Sequence, residues 1–258
     1  MSVAFIGLGL NDERGLTIEG LEEARRAGSV FAEFYTNIMP GLDIKKLELL
    51  LGKRVVVLGR TQLEDEGGKR IVEAAKRERV AFLVPGDPMI ATTHISVRLE
   101  LAKKGIPSKI IHGPSVTSAV CGATGLQSYK FGKSVTLPQE PGVPDSLLDT
   151  VRDNKTRGLH TLILLDVRPE MAQQLTIGEA AAKLVTADRT LESRMGIGVA
   201  RLGSEDQFVL SAKLGKLENQ DFGRAPHCLV IPGRLHFMEA EALKVFCGAE
   251  DEDLEALK

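Results

Sequence analysis

The chain contains no tryptophan, and its two tyrosines and nine phenylalanines amount to 4% aromatic residues in 258. So few rings offer no stacking platform for single-stranded nucleic acid. Charge of one sign is also missing. Lys plus Arg at 33 against Asp plus Glu at 35 leaves a net charge of -2, which excludes the global basic field of a nucleic-acid binder. No apolar run approaches the roughly 18 residues of a membrane span, and the N-terminus enters a strand almost at once without a signal peptide. A cytoplasmic protein is expected. Cys121, Cys228 and Cys247 are widely spaced, with no C-x-x-C, so neither a disulfide framework nor a zinc site is indicated. The five histidines lack H-E-x-x-H spacing and give no reason to expect any metal. Asn154-Lys155-Thr156 has the spacing of a glycosylation acceptor, which means nothing without secretion.

What is present has the composition of an ordinary globular protein, 43% hydrophobic and 26% charged, and the length suits two domains. Val80 to Val84 is a short, continuously apolar run that stops at Pro85-Gly86-Asp87-Pro88, the pattern of a strand buried on both faces of a parallel sheet. Ligands bind beyond the carboxyl ends of such strands. Asp87 reads either as a ligand to an amine or hydroxyl or as an ordinary turn residue. Strands at Val3 to Ile6, Val30 to Glu33, Arg54 to Leu58 and Pro107 to Ile111 alternate with helices. One helix starts at the N-cap Thr17, with Leu21 and Ala24 on its apolar face; others cover Asp43 to Leu51 and Gly68 to Glu78. A further one, Thr92 to Lys104, carries Ile95, Leu99 and Ala102 on one side. Gly7-Leu8-Gly9, Gly86-Asp87 and Gly113-Pro114-Ser115 then share one edge of the sheet, with Ser115 as a cap for a helix from Val116 to Gly125. A dinucleotide fingerprint would need glycine where Asp12 stands, which leaves Glu33 as a possible ribose ligand in a minority reading.

From Tyr129 onward the pattern changes. Phe131-Gly132-Lys133-Ser134 ends like a P-loop, but Gln127 replaces its first glycine and a strand follows rather than a helix. A helix at Asp145 to Asn154, a strand at His160 to Asp166 and a capped helix at Thr176 to Thr186 come next. Closely spaced strands at Ile197 to Arg201, Phe208 to Leu214 and Cys228 to Ile231 predict a mixed sheet, and a helix at Met238 to Phe246 closes the domain. Glu250 to Asp253 reads as a solvated acidic tail. The expected domains are 1–112 and 113–258.

Nearly the whole chain resembles the diphthine synthase family, methyltransferases of the tetrapyrrole methylase fold. The residues that carry this are Ile6-Gly7-Leu8-Gly9-Leu10, Phe31-Ala32-Glu33-Phe34-Tyr35-Thr36, Pro85-Gly86-Asp87-Pro88 with Ala91-Thr92-Thr93-His94, Pro114-Ser115, Tyr129-Lys130-Phe131-Gly132-Lys133-Ser134, Gly158-Leu159-His160-Thr161, Pro226-His227 and Pro232-Gly233. Gly-Asp-Pro is shared across the superfamily; Glu-Phe-Tyr-Thr and Tyr-Lys-Phe-Gly-Lys-Ser are specific to the family. Gly15, where the family usually has an acidic residue, and a short stretch from Leu137 to Pro144 depart from its pattern.

The resemblance implies a fold of two α/β domains, an N-terminal parallel sheet and a C-terminal mixed sheet, with a cleft between. It implies methyl transfer from S-adenosylmethionine, leaving S-adenosylhomocysteine, to the amino group of the 3-amino-3-carboxypropyl-histidine of translation elongation factor 2, in diphthamide biosynthesis. It also implies a homodimer. Cofactor contacts carried over by position are Leu10, Asp87, Ile90, Ser115, Val116, Leu165, Leu202 and His227. By pattern alone the five aliphatic ones read as core, Ser115 as a cap and His227 as a structural hydrogen-bonder. No catalytic base is named. A tetrapyrrole methyltransferase sharing fold and cofactor is the alternative function.

Overall fold

Burial with a period of two organises the first strand. Val3 and Phe5 belong to one hydrophobic cluster and Ala4 and Ile6 to another, so both faces of the strand are covered. The computed structural model describes residues 1–168, 173–255 and 257, and the chain divides into two compact units, 1–116 and 117–258. The first unit runs β1 (Ser2–Gly7), α1 (Ile18–Arg26), β2 (Ser29–Ala32), α2 (Ile44–Leu51), β3 (Val55–Val57), α3 (Arg60–Glu64), α4 (Lys69–Ala75), β4 (Arg79–Val84), α5 (Ile95–Lys103) and β5 (Ser108–Ile111). Its sheet has the order β3-β2-β4-β1-β5, parallel throughout.

The same alternation recurs in β4, where Val80, Phe82 and Val84 join the cluster of Val3 and Phe5, while Ala81 and Leu83 join that of Ala4 and Ile6. Residues of α1 and α2 cover the second face; α4 and α5 cover the first. Local signals fix the helix ends. Thr17 Oγ1 accepts the Gly20 N–H at 3.0 Å, and Asp43 caps α2, which Gly52 closes in the left-handed region at φ 69°.

The second unit contains α6 (Val116–Thr124, whose first residue is the last of unit 1), β6 (Val135–Leu137), α7 (Asp145–Thr156), β7 (Thr161–Leu165), β8 (Val167–Arg168), β9 (Gln173–Gln174) and α8 (Ile177–Ala187). β10 (Met195–Ala200), β11 (Phe208–Lys213), α9 (Leu214–Leu217), β12 (His227–Ile231), α10 (Phe237–Cys247) and α11 (Asp251–Glu255) complete it. Its five-stranded sheet has the order β11-β10-β12-β7-β6, with β6 parallel to β7 and the other pairs antiparallel. The expected α/β class, one parallel and one mixed sheet, is therefore the class observed. One hydrophobic cluster gathers residues of α7, α8 and α9 against this sheet. Gly196 and Gly198 in β10 leave space that Leu214 and Phe222 fill, since a Cβ on either would come within 2.7 Å of those side chains.

Two expectations are corrected. In α5 the residues expected to face inward, Ile95 and Leu99, are 50% and 54% exposed, and Ala102 is exposed too. Val97 and Leu101 form the buried row instead, because Val97 packs onto Gly68, where the lack of a side chain admits it. The acidic tail is not simply solvated. It forms α11, whose turn directs Asp253 and Leu254 inward; Asp253 pairs with Lys213 at 2.9 Å, and the Leu235 N–H donates to the Leu257 carbonyl at 2.7 Å. The short elements α3, α9, β8 and β9 had no counterpart in the sequence reading, and β2 ends at Ala32, one residue before Glu33.

Leu101→Ala is expected to cost roughly 2–5 kcal/mol, whereas Leu99→Ala on the same helix should stay within about 0.5 kcal/mol. Urea unfolding of both variants checks the assignment of faces.

Candidate functional site

In the parallel sheet β1 and β4 are neighbours whose onward connections diverge: the chain leaves β1 past β4 towards β2, and leaves β4 past β1 towards β5. Ligands of open α/β sheets bind at such a switch point. The loops there are pressed together backbone to backbone. Gly9 N–H donates to the Gly86 carbonyl at 3.2 Å and Gly86 N–H to the Gly9 carbonyl at 2.7 Å. A Cβ on Gly7 would lie 2.5 Å from the Gly86 oxygen and 2.6 Å from Gly113 N, and one on Gly113 would lie 2.6 Å from the same oxygen. Gly86 itself has φ 68°, and open space lies where its side chain would be.

Asp87 is buried beside that space. Its Oδ1 accepts the Met89 N–H at 2.9 Å and its Oδ2 meets Nδ1 of the exposed His112 at 2.7 Å. Asp87 thus shapes its own turn, while each oxygen keeps lone-pair capacity for a ligand. Ile90 follows on the same loop, 41% exposed, and precedes Ala91, which sits at φ 54°. Leu10 and Val116 are half-buried, and the buried Ser115 immediately precedes α6. The first unit therefore gathers Leu10, Asp87, Ile90, Ser115 and Val116 on loops at the carboxyl edge of its sheet.

In the second unit, Leu165 ends β7, His227 begins β12, and Leu202 follows β10. Register puts these three at one edge, since Cys228 pairs with Leu164 and His227 with Ala200. All three are buried. His227 Nε2 lies 3.1 Å from the Arg224 carbonyl, so that nitrogen carries the proton, and the buried Nδ1 has no partner among the described residues. Burial holds the imidazole pKa below its usual value. Arg201, before Leu202, has φ 51° and is braced by its side chain, which donates to the Phe222, Arg224 and Asp206 carbonyls. The two non-glycine residues at positive φ, Ala91 and Arg201, each adjoin an expected contact. Such strain persists where surrounding structure enforces it.

Glu33 does not serve a ribose. It is fully buried, and its carboxylate accepts the Tyr35 and Thr36 N–H groups at 2.9 and 3.0 Å and the Thr36 hydroxyl. Burial raises its pKa. The ring of His94 packs edge-on against Phe82 and Tyr35, with Nε2 3.9 Å from Glu33. Burial lowers the His94 pKa to about 4.

Sequence reasoning missed a buried centre in the second unit. Glu239, wholly buried, accepts the Gln127 N–H and the His160 Nε2–H at 2.9 Å each, the His236 N–H at 2.8 Å, and the Lys130 ammonium. Burial pushes this carboxyl up, but the four donors hold it at about 2. The Gly233 N–H donates to His160 Nδ1 at 3.0 Å, which fixes the tautomer. Lys130 also donates to the Arg234 carbonyl at 2.6 Å. Asn154 holds Lys133 through both backbone groups, at 3.2 and 2.9 Å. Only the histidine and the capping position of Glu239 carried any local signal.

A model of the family described as Tetrapyrrole (Corrin/Porphyrin) Methylases matches residues 2–218. The chain is 41% identical over 251 residues to a diphthine synthase of Archaeoglobus fulgidus, with 97% of each covered. It is 42% identical over 251 residues to one of Methanocaldococcus jannaschii, covering 93% of this chain and 97% of the relative. A crystal structure of diphthine synthase superposes with a TM-score of 0.94 at 40% identity, covering 100% of both chains.

Gly113→Ala is expected to destabilise by on the order of 3 kcal/mol or more, because only backbone could yield, while Gly122→Ala in α6, open to space, should gain up to about 1 kcal/mol. Thermal unfolding compares them. For His94, the lowered pKa means that its share of stability is complete above pH 6.5 and drains as pH falls towards 4, by about 3 kcal/mol. Glu33, shifted upward, acts in the opposite direction, so the wild type must be compared with His94→Phe. Chemical unfolding between pH 7 and pH 4 should show a flatter acid limb in the variant.

Proposed function

The chain belongs to the tetrapyrrole methylases, within them to the diphthine synthases, and is a methyltransferase; from this premise we propose that it methylates a modified histidine of translation elongation factor 2. The donor is S-adenosylmethionine. The acceptor is the amino group of the 3-amino-3-carboxypropyl side chain, carried stepwise to the trimethylammonium form in diphthamide biosynthesis. One observation in the fold supports this reading above the rest: the glycine-closed loops at the β1/β4 switch point, with Asp87 buried beside open space at Gly86.

The residues fit such a cofactor. An adenosine moiety needs an apolar slot with a few polar anchors. Leu165 and Leu202 with the bare, buried Nδ1 of His227 supply that character on one sheet edge; Leu10, Ile90, Val116, Ser115 and Asp87 supply it on the other. When bound, S-adenosylmethionine brings a methyl group already activated on a sulfonium. What remains for this chain is alignment and exclusion of water, and well-oriented reactions gain roughly 7–11 kcal/mol from positioning. A desolvated site also lowers an ammonium pKa and so delivers the neutral amine. Backbone N–H groups at the glycine loops and the carboxylate of Asp87 suit the polar end of the ligand. No side chain is assigned as a base. We also propose, from the resemblance, a cytoplasmic homodimer; no helix among the described residues is long and apolar enough to cross a membrane.

Calorimetric titration with S-adenosylhomocysteine is the first test. Tight binding is expected for the wild type, with Asp87→Ala weaker by tenfold or more, about 1.4 kcal/mol, and Asp87→Asn intermediate because it keeps the acceptor for Met89 N–H. Absence of binding to the wild type would overturn the reading. Mass spectrometry of elongation factor 2 carrying the aminocarboxypropyl-histidine should then show up to three added methyl groups. Methylation of a uroporphyrinogen-type macrocycle in its place would establish the alternative.

A further inference from the structure

Eight of the fifteen described cations of the second unit pair with carboxylates: Lys130 with Glu239, Arg152 with Asp149 and Asp188, Arg168 with Glu140 and Asp166, Arg201 and Arg224 with Asp206, Lys213 with Asp253, Lys216 with Glu250, Lys244 with Asp251. Lys133, Lys155, Arg157 and Arg234 are exposed and have no carboxylate partner among the described residues. The fold brings these four together. Asn154 holds the Lys133 backbone, the Arg157 N–H donates to the Asn154 carbonyl at 3.1 Å, and a Cβ on Gly158 would lie 3.2 Å from the Arg234 Cβ. The C-terminal dipole of α7 accounts for Lys155 and Arg157 but not for Lys133 or Arg234.

Two exposed aromatics lie close to the cations in sequence, Tyr129 four residues before Lys133 and Phe237 three after Arg234. Tyr129 is 78% exposed and Phe237 71%, yet both neighbour residues bound to the buried Glu239, Lys130 on one side and His236 on the other. Phe237 packs on the His236 ring at 4.3 Å and still leaves most of its surface in water, and the Tyr129 ring is more exposed still. As a contact it costs little entropy, and Tyr and Arg are the residues that most often anchor interfaces. We propose that this surface of Tyr129, Phe237, Lys133, Lys155, Arg157 and Arg234 docks an acidic segment of the protein acceptor. The proposal rests on the function given above.

Other occupants fit less well. Centred on a two-fold axis, this patch would meet its own like charges in a second copy. Four cations are also fewer than the roughly 6–10 phosphate contacts of a strong duplex-binding surface.

The test is steady-state methylation of elongation factor 2 carrying the aminocarboxypropyl-histidine by the wild type, the double variant Arg157→Glu/Arg234→Glu, and Tyr129→Ala. S-adenosylhomocysteine affinity and circular dichroism of each verify folding. For the double variant we expect KM for the protein to rise on the order of tenfold or more, kcat to stay within about twofold, and cofactor affinity to be unchanged. KM should rise with salt in the wild type and do so less steeply in the double variant. Tyr129→Ala should raise KM several-fold. Wild-type KM with wild-type salt dependence in the double variant would overturn the docking surface. A changed solution mass by light scattering would show a contact between copies instead, and competition by an RNA oligonucleotide would show a nucleic-acid surface; either overturns it too. Failure of the wild type itself to methylate the factor would overturn the proposed function, and the docking surface with it.

Discussion

The first unit depends on a contact with no room for a side chain: the backbone of Gly7 against Gly86 and Gly113. Three loops after three strands converge there, and two reciprocal hydrogen bonds between Gly9 and Gly86 lock two of them. A single methyl at position 7 or 113 would meet only peptide atoms, which cannot rotate away. The same crowding bears on Gly15, where the family resemblance implied an acidic residue. A Cβ on Gly15 would lie 2.4 Å from the Leu8 carbonyl oxygen, so an acidic side chain has no place in this version of the loop. Asp12 then closes that loop by capping a turn of 3-10 helix and pairing with Arg14 at 2.7 Å.

The second unit has a polar counterpart in Glu239. Burying a carboxylate is unfavourable unless donors surround it, and here four do, from Gln127, Lys130, His160 and His236. Those donors come from three segments of the chain, so the carboxylate sets where the segment around 127–133 meets α10 and the strand that begins after His160. His160 can donate only because Gly233 occupies its other nitrogen. Each part of the network fixes the state of the next.

Much of this was legible in the sequence. Continuous apolar runs ending at glycine gave the parallel strands, and closely spaced runs gave the mixed sheet, because strand burial has a local signature. The face of α5 was misread because Ile95 and Leu99 are as apolar as Val97 and Leu101; what separates them is Gly68, on another helix. The tail was misread because its charges hide Leu254 and Leu257, which find partners only after folding. At the candidate site, glycines and Asp87 announced themselves through turn chemistry. Leu165, Leu202 and His227 carried no such signal, since a leucine at a strand end reads as core, and only the register between β7, β10 and β12 places them on one edge.

The motif Tyr129 to Ser134 carries the resemblance to the family, and its interior residues are spent on structure. Lys130 is consumed by Glu239 and the Arg234 carbonyl, and Gly132 lies so close to Asn154 that a Cβ would come within 2.1 Å of its oxygen. Both are committed to contacts within the chain. Their effect on recognition is indirect: they make rigid the backbone from which Tyr129 and Lys133 project. Methyl transfer from an activated donor asks for alignment more than for acid or base, so a family of this kind can differ in acceptor while sharing the Gly-Asp-Pro loop. On the docking surface proposed above, specificity would reside in side chains whose backbone the buried Glu239 network holds still.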